Sequence, residues 1–156
     1  MTVFKDHRFA ATADWVRDKR GLISGRDKPV LDVAVSSELG GTDVDAWSPE
    51  ELLLAACASC YELTIVAVAR KDDIPIYSLE VRSAGHVTRR SDGRLGFVVI
   101  ELDVELVTSP DRIEDADAAA RRAKDVCIVT LALEVPVHVR VNARARAMQL
   151  VEAGIR

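Results

Sequence analysis

The longest apolar segment of the chain lies between residues 48 and 70 and reads SPEELLLAACASCYELTIVAVAR. Its first residues predict the start of a helix: Ser48 can cap it, Pro49 suits its first position, and Glu51 completes an S-x-x-E capping box. From Leu52 to Ala69 the helix would be apolar on nearly all sides, which is typical of a buried central helix. The segment DDIP predicts its end.

Strand patterns flank this helix on both sides. The N-terminal segments TVFKDHRFAATADWV and PVLDVAVSS predict two or three strands in hairpins. After the helix, IYSLEVRSAGHVTRR and LGFVVIELDVELVTS predict two long strands around the turn SDGR, and VPVHVRVNA predicts a last strand. In the second long strand, the alternation places Glu101, Asp103 and Glu105 on one side and the apolar residues on the other.

A second amphipathic helix is predicted over SPDRIEDADAAARRAKDVC, with an inner stripe that ends at Cys127. The predicted order is therefore βββ-α-ββ-α-β. It indicates an α+β fold in which a sheet wraps on a buried central helix.

Length and charge narrow the possible functions. The 156 residues favour a single domain over residues 1–156. The net charge of −4 disfavours a general nucleic-acid binder. The N-terminus MTVFKDHRF has no signal-peptide pattern, and the uncharged runs are far shorter than the ~20 residues of a membrane span. We therefore expect a cytoplasmic protein without a membrane segment.

The three cysteines, Cys57, Cys60 and Cys127, are the candidate chemical groups. A redox C-x-x-C motif places its first cysteine at a helix N-terminus, whereas Cys57 lies about two turns inside the predicted helix. Zinc needs four ligands, and a second C-x-x-C is absent from the sequence. Two interpretations remain open: Cys60 and Cys127 share one interior site, or all three cysteines are small buried hydrophobic residues.

Two segments resemble the OsmC/Ohr family of osmotically inducible and organic hydroperoxide resistance proteins. In SPEELLLAACASCYELT, Glu50, Cys60 and Tyr61 fit the family's first block, in which a cysteine and an aromatic residue follow the helix-start glutamate. DVCIVTLALEVPVHVRV resembles the second block, a C-P-x-S leading into the final strand, with Ile128 and Thr130 where the family usually has Pro and Ser. The likeness runs from about Phe9 to Val141.

The resemblance implies a cysteine-based peroxidase for organic hydroperoxides, without a metal or a bound prosthetic group. Cys60 would be the peroxidatic cysteine and Cys127 the resolving one, and the disulfide between them would be reduced by a dithiol such as dihydrolipoamide or a lipoylated protein. Cys57 has no counterpart role, and we interpret it as a packing residue. A non-catalytic relative that binds an apolar ligand in a dimer-interface cavity is the alternative function.

The resemblance also implies that an arginine from the N-terminal hairpin, held by Glu50, favours the Cys60 thiolate. Arg17 and Arg20 are the candidates, and Arg17 is preferred because RDKR resembles the family's R-D-G-R. Glu50 lies about 15 Å from Cys60 along a straight helix, so one chain cannot bring them together. We therefore expect an intertwined two-fold dimer with composite sites; alternatively, Glu50 only complements the helix dipole.

Overall fold

The computed structural model describes residues 5–147 of the chain. Its elements follow the order predicted from the sequence, which confirms the mixed α+β fold. They are β1 (Thr12–Arg17), β2 (Arg20–Ser24), β3 (Leu31–Ala34), α1 (Pro49–Lys71), β4 (Ser78–Arg89), β5 (Leu95–Thr108), α2 (Ile113–Arg122), α3 (Ile128–Leu131) and β6 (Val137–Ala145). The chain divides into two compact units, Met1–Leu53 and Leu54–Arg156.

The N-terminal unit contains an antiparallel sheet in the order β1-β2-β3. The turn between β1 and β2 places Asp18 at a positive φ of 42°, and the indole nitrogen of Trp15 donates a hydrogen bond of 3.1 Å to its carbonyl. On the far side of the sheet, the amide of Ala34 donates to the carbonyl of Trp47 at 2.9 Å. The first bond stabilises the β1–β2 turn, and the second joins β3 to the segment that precedes residue 49.

The C-terminal unit contains the sheet β4-β5-β6, in which β4 and β5 are antiparallel and β5 and β6 are parallel. The parallel pair needs a crossover connection, which α2 and α3 supply. The alternation predicted for β5 is confirmed, because its inward residues are buried: Ile100, Leu102, Val104 and Leu106. This face forms the main hydrophobic core of the unit.

Helix α1 begins with the predicted capping box. The Glu51 amide donates to Ser48 Oγ at 3.1 Å, and the Ser48 amide donates to Glu51 Oε2 at 2.7 Å. The helix ends at Lys71, just before the DDIP segment.

Burial of α1 is one-sided in the single chain. Its buried residues recur every fourth position, at Cys57, Tyr61, Ile65 and Ala69. Elsewhere on the helix, Leu63 is 67% exposed and Val66 43%. By length and composition α1 could also cross a membrane, a test that the core helix of a soluble protein passes as well.

The second helix is shorter than the sequence predicted. Helix α2 covers only Ile113–Arg122, and turns of 3₁₀ helix precede and follow it. At Val126 the backbone leaves the helical region (φ −131°, ψ 2°), and Cys127 becomes the N-cap residue of α3. The prediction that Cys127 lies on the inner stripe of one long helix is therefore wrong, although its side chain is buried.

The Tyr61 hydroxyl joins α1 to α2. The ring is fully buried, and the hydroxyl donates a hydrogen bond of 2.7 Å to the Ala120 carbonyl. We expect Tyr61→Phe to lower the free energy of unfolding by about 1 kcal/mol, because a buried carbonyl loses its donor. Chemical denaturation measures this, and Tyr77→Phe, at a half-exposed tyrosine, is the control. Equal effects of the two variants would contradict the prediction.

Tyr61 also predicts a loss of stability at alkaline pH. Burial raises its pKa from the ordinary value of 10.0 to about 12. The unfolded chain therefore releases this proton first, and the contribution of Tyr61 to stability falls as the pH rises from 10.0 to about 12. We expect the stability difference between the wild type and Tyr61→Phe to narrow in this range. Denaturation curves at several pH values measure it, and a constant difference would contradict the prediction.

Candidate active site

The sulfur atoms of Cys60 and Cys127 lie 3.4 Å apart, although 67 positions separate the residues in the chain. Cys60 lies on α1, and Cys127 lies in the turn between α2 and α3. Cys60 is partly buried and Cys127 is fully buried. A disulfide requires the two sulfurs to approach to about 2.05 Å, so a small movement of either side chain closes the gap.

The surroundings of Cys127 favour its thiolate. Burial disfavours the charge, but the neighbouring polar groups of Thr130, Cys60 and Val129 outweigh burial. Together they lower the pKa of Cys127 below its ordinary value. Of the two fully buried thiols, Cys127 is therefore the one whose surroundings favour ionisation.

Cys57 differs from the other two cysteines. It is fully buried in the hydrophobic core, one turn before Cys60 on α1. Burial raises the pKa of its thiol, and the neighbouring Cys127 and Cys60 raise it further. A protonated, inaccessible thiol is a poor nucleophile, which fits a packing residue.

Cys60 borders the exposed apolar side of α1. Leu63 and Val66 follow it at intervals of three residues, and both are more than 40% exposed. The Thr64 hydroxyl donates to the Cys60 carbonyl at 2.7 Å, so this threonine bonds to the backbone of the helix. A reagent can therefore reach Cys60 along an apolar surface.

The two candidate arginines lie in the N-terminal unit and pair with aspartates of that unit. Arg20 donates hydrogen bonds to Asp32 (3.1 Å) and Asp45 (3.3 and 3.4 Å), and these bonds raise its pKa. Arg17 makes only longer ion pairs, with Asp18 at 3.6 Å and Asp43 at 3.8 Å, and its side chain is 58% exposed. Arg17 is therefore less tightly held than Arg20.

Sequence reasoning did not single out these aspartates. The segment ELGGTDVDAWS reads only as a loop. The structure shows that Asp43 lies 3.4 Å from an Arg20 nitrogen and that Asp45 hydrogen-bonds to the same guanidinium. The alternate spacing of Asp43 and Asp45 beside an arginine-rich hairpin is the signal that could have indicated the pairing.

Glu50 lies in the first turn of α1. Its Oε2 atom is buried and has no hydrogen-bond partner among residues 5–147. A buried carboxylate oxygen without a donor is costly, so this atom requires a donor from outside the described residues, such as a cation or water. This requirement sets Glu50 apart from Glu51, which is satisfied by the cap.

No group of three or more histidine, cysteine, aspartate or glutamate side chains within residues 5–147 could hold a metal ion. The histidines lie apart from the cysteines: His86 and His138 are exposed residues of β4 and β6.

Comparison with known proteins gives a consistent result. The profile described as "OsmC-like protein" matches residues 40–142. The uncharacterised protein YmaD of Bacillus subtilis is 24% identical over 147 residues, which are 90% of this chain and 96% of YmaD.

Solved structures share the fold. An OsmC-like protein from Vibrio cholerae superposes with a TM-score of 0.80 at 16% identity, covering 88% of this chain and 100% of its own. An organic hydroperoxide resistance protein from Elizabethkingia anophelis gives a TM-score of 0.75 at 20% identity, covering 92% of this chain and 100% of its own. At these identities the likeness establishes the fold of the chain.

The sulfur geometry predicts the product of mild thiol oxidation. Diamide should link Cys60 to Cys127 within one chain, because these sulfurs already lie 3.4 Å apart. Peptide mass spectrometry after alkylation of free thiols identifies the link. Cys57→Ala should form the same link, and Cys127→Ser should form none. A Cys57–Cys60 link as the main product of the wild type would contradict the prediction.

Proposed function

Since the chain belongs to the OsmC-like family, we propose that it is a thiol-dependent peroxidase that reduces organic hydroperoxides to alcohols through Cys60 and Cys127. The observation that carries the proposal is the 3.4 Å contact between an accessible and a buried sulfur. A peroxidatic cysteine must meet the substrate, and a resolving cysteine must meet the oxidised sulfur. The exposure of Cys60 and the burial of Cys127 suit these two roles.

The proposed reaction uses two thiols of the protein and an external dithiol. The Cys60 thiolate attacks the O–O bond of the hydroperoxide; that bond breaks, the alkoxide takes a proton to leave as alcohol, and Cys60 becomes a sulfenic acid. The Cys127 thiolate then attacks the Cys60 sulfur and displaces hydroxide, which leaves as water once protonated. An external dithiol reduces the resulting disulfide by exchange.

The apolar surface beside Cys60 supports an alkyl or fatty-acid hydroperoxide as substrate. Leu63 and Val66 expose apolar area on the helix that carries the thiol. Burial of a hydrocarbon chain against such residues contributes about 25 cal/mol for each Å² removed from water. Hydrogen peroxide has no apolar group and gains nothing from this surface.

The exposed side of α1 and the buried oxygen of Glu50 both support a two-fold dimer. A second copy of the helix would cover Leu63 and Val66, and it would bring an N-terminal hairpin and a Glu50 from one subunit toward the Cys60 of the other. Arg17 is our preferred activating residue, because its aspartate contacts are longer than those of Arg20. An arginine beside Cys60 would favour the thiolate, and one beside Glu50 would supply the missing donor.

The proposed disulfide intermediate favours a dithiol as reductant and a reducing compartment as the location of the protein. A disulfide within one chain is reduced most simply by a small dithiol. After the first thiol of the reductant has formed a mixed disulfide with the protein, its second thiol displaces the protein and closes a cyclic disulfide. Dihydrolipoamide or a lipoylated protein fits this description. The catalytic cycle requires free thiols in the resting protein, which is consistent with a reducing, cytoplasmic location.

Mixing the reduced protein with cumene hydroperoxide tests the proposal. Two of the three thiols per chain should be lost, and a Cys60–Cys127 disulfide should form. One molecule of the product alcohol should appear for each disulfide. Cys60→Ser should abolish peroxide consumption, because it removes the nucleophile, whereas Cys57→Ala should retain it. Liquid chromatography and thiol counting provide the measurements.

The alternative is a protein that binds an apolar ligand at the same place without reacting. If all thiols survive excess hydroperoxide, while a fatty acid still protects Cys60 from alkylation, the peroxidase function is refuted and the binding function is supported. If Arg17 activates Cys60, Arg17→Ala should slow oxidation more than Arg20→Ala does.

A further inference from the structure

The turn that joins β4 to β5 carries three arginines within the six residues RRSDGR, and we call residues 89–94 the arginine tip. The Gly93 amide donates to the Arg90 carbonyl at 2.9 Å, and the Arg90 amide donates to the Arg94 carbonyl at 2.8 Å. Gly93 has a positive φ of 82°, which glycine adopts without strain. The arginine tip is therefore a tight hairpin turn.

Two of its three guanidinium groups have no carboxylate partner within residues 5–147. Arg94 pairs with Asp92 through bonds of 2.7 and 2.9 Å. Arg89 and Arg90 donate instead to backbone carbonyls of the same hairpin, Arg89 at a distance of 2.6 Å. Each keeps further N–H donors, because a guanidinium has five. The arginine tip therefore carries two uncompensated positive charges in a chain whose net charge is −4.

Both of these side chains are held in place. The guanidinium of Arg90 lies against Gly96, where an added Cβ atom would come within 3.1 Å of its central carbon. The bond of Arg89 to the Gly93 carbonyl fixes the second guanidinium over the turn. A side chain that is already ordered loses less conformational entropy on binding than a free one does. The two arginines are therefore prepared to bind an anionic group.

Exposed apolar residues accompany the charges. Leu95 pairs with Arg89 across the hairpin and is 58% exposed. Val87 and Val98 of the same hairpin are also exposed. Interfaces between proteins are enriched in arginine and exclude water from apolar residues at their centre. The combination fits a protein partner with an acidic surface.

The small number of free cations disfavours the other polyanions. Proteins that bind nucleic acid neutralise about six to ten phosphates, and membrane-binding clusters contain about four to eight cations. The arginine tip offers two, Arg89 and Arg90, and the net charge of the chain would repel an extended polyanion. An acidic patch on a folded protein needs only a local match of charge.

The arginine tip follows the part of β4 that packs on α1. The Ser83 hydroxyl donates to the Leu54 carbonyl at 2.9 Å. Phe97 and Leu54 meet over Gly85, where an added Cβ atom would lie 2.5 Å from Phe97 and 3.0 Å from Leu54. Leu54 precedes Cys60 by six residues, about 9 Å along the helix. A partner bound to the arginine tip is therefore held near the disulfide that the reductant must reach.

From these contacts we propose that the arginine tip is the docking surface for an acidic protein that carries the reducing dithiol. The inference rests on the proposed function, since it names the partner of the last step. One thiol of the partner attacks the Cys60–Cys127 disulfide and forms a mixed disulfide. Its second thiol releases the protein with both cysteines reduced, and the partner keeps the cyclic disulfide. Attraction between the opposite charges raises the rate of encounter and weakens in salt.

The chain offers a matched control for the arginine tip. Arg121 and Arg122 are also adjacent and exposed, but each pairs with an aspartate. Arg89→Gln with Arg90→Gln removes two uncompensated charges and is the tip variant. Arg121→Gln with Arg122→Gln removes two charges that carboxylates balance and is the control variant. Because both variants have the same net charge, a difference between them reports the position of the charge.

The experiment measures how fast two dithiol peptides reduce the disulfide, which diamide forms beforehand so that no peroxide is involved. Both peptides contain the sequence Cys-Gly-Gly-Cys, flanked by glutamates in one and by glutamines in the other. At low ionic strength, the ratio of the acidic to the neutral rate should fall about fivefold in the tip variant and stay at the wild-type value in the control variant. Added salt should remove the difference. Dithiothreitol, which is uncharged, should reduce all three proteins equally.

Equal rate ratios in the three proteins would overturn the proposal. An equal fall in both double variants would also overturn it, because net charge would then explain the effect. Vesicles that contain phosphatidylserine and a short DNA duplex test the other polyanions: if either binds the wild type but not the tip variant, while the peptides show no difference, the assignment to an acidic protein is wrong. Failure of Cys60 to react with hydroperoxide, in contrast, refutes the peroxidase function and leaves this comparison unaffected.

Discussion

The contact between the Cys60 and Cys127 sulfurs depends on how α1 packs in the C-terminal unit. The buried stripe of α1 contains Cys57, Tyr61, Ile65 and Ala69, and Cys60 stands beside it at the border of the core. The Tyr61 hydroxyl fixes α1 to the Ala120 carbonyl of α2, the helix that leads to Cys127. A change in the rotation of α1 would move Cys60 relative to Cys127, so the packing of Tyr61 helps to hold the two sulfurs 3.4 Å apart.

The same residue type has three different environments within this small region. Cys57 is buried in the hydrophobic core, and burial raises its pKa. Cys127 is equally buried, but the polar groups of Thr130, Cys60 and Val129 lower its pKa. Cys60 has the access that both of them lack. Exposure decides which sulfur a substrate can meet, and the polar groups nearby decide which of the two buried sulfurs ionises more readily.

Local signals predicted much of the fold. The start of α1 was predictable because its capping box involves residues only three positions apart, Ser48 and Glu51. The alternation of β5 was predictable because one of its faces is fully buried. The end of α2 was not predictable, since RRAKDVC continues a helical pattern. The turn there depends on tertiary packing, which places the Cys127 side chain in the core.

In the candidate site, too, nearby residues in the sequence predicted some features, whereas other features depend on contacts between residues far apart in the chain. The resemblance of two sequence blocks singled out Cys60 and Cys127, but it could not supply the 3.4 Å distance between their sulfurs, because that distance depends on how α1 packs against the turn that carries Cys127. The choice between Arg17 and Arg20 depends on aspartates more than ten positions away, Asp32, Asp43 and Asp45.

The exposed side of α1 and the buried Glu50 oxygen point to the same missing component. Exposed apolar side chains cost free energy in water, and a buried carboxylate oxygen without a donor costs more. One copy of the chain, over residues 5–147, leaves both unsatisfied. The symmetric dimer proposed above would address both, by covering Leu63 and Val66 and by supplying a donor for Glu50. If the apolar contact and the donor come from the same partner, dimerisation and thiol activation are a single event, and the proposed peroxidase activity requires the dimer.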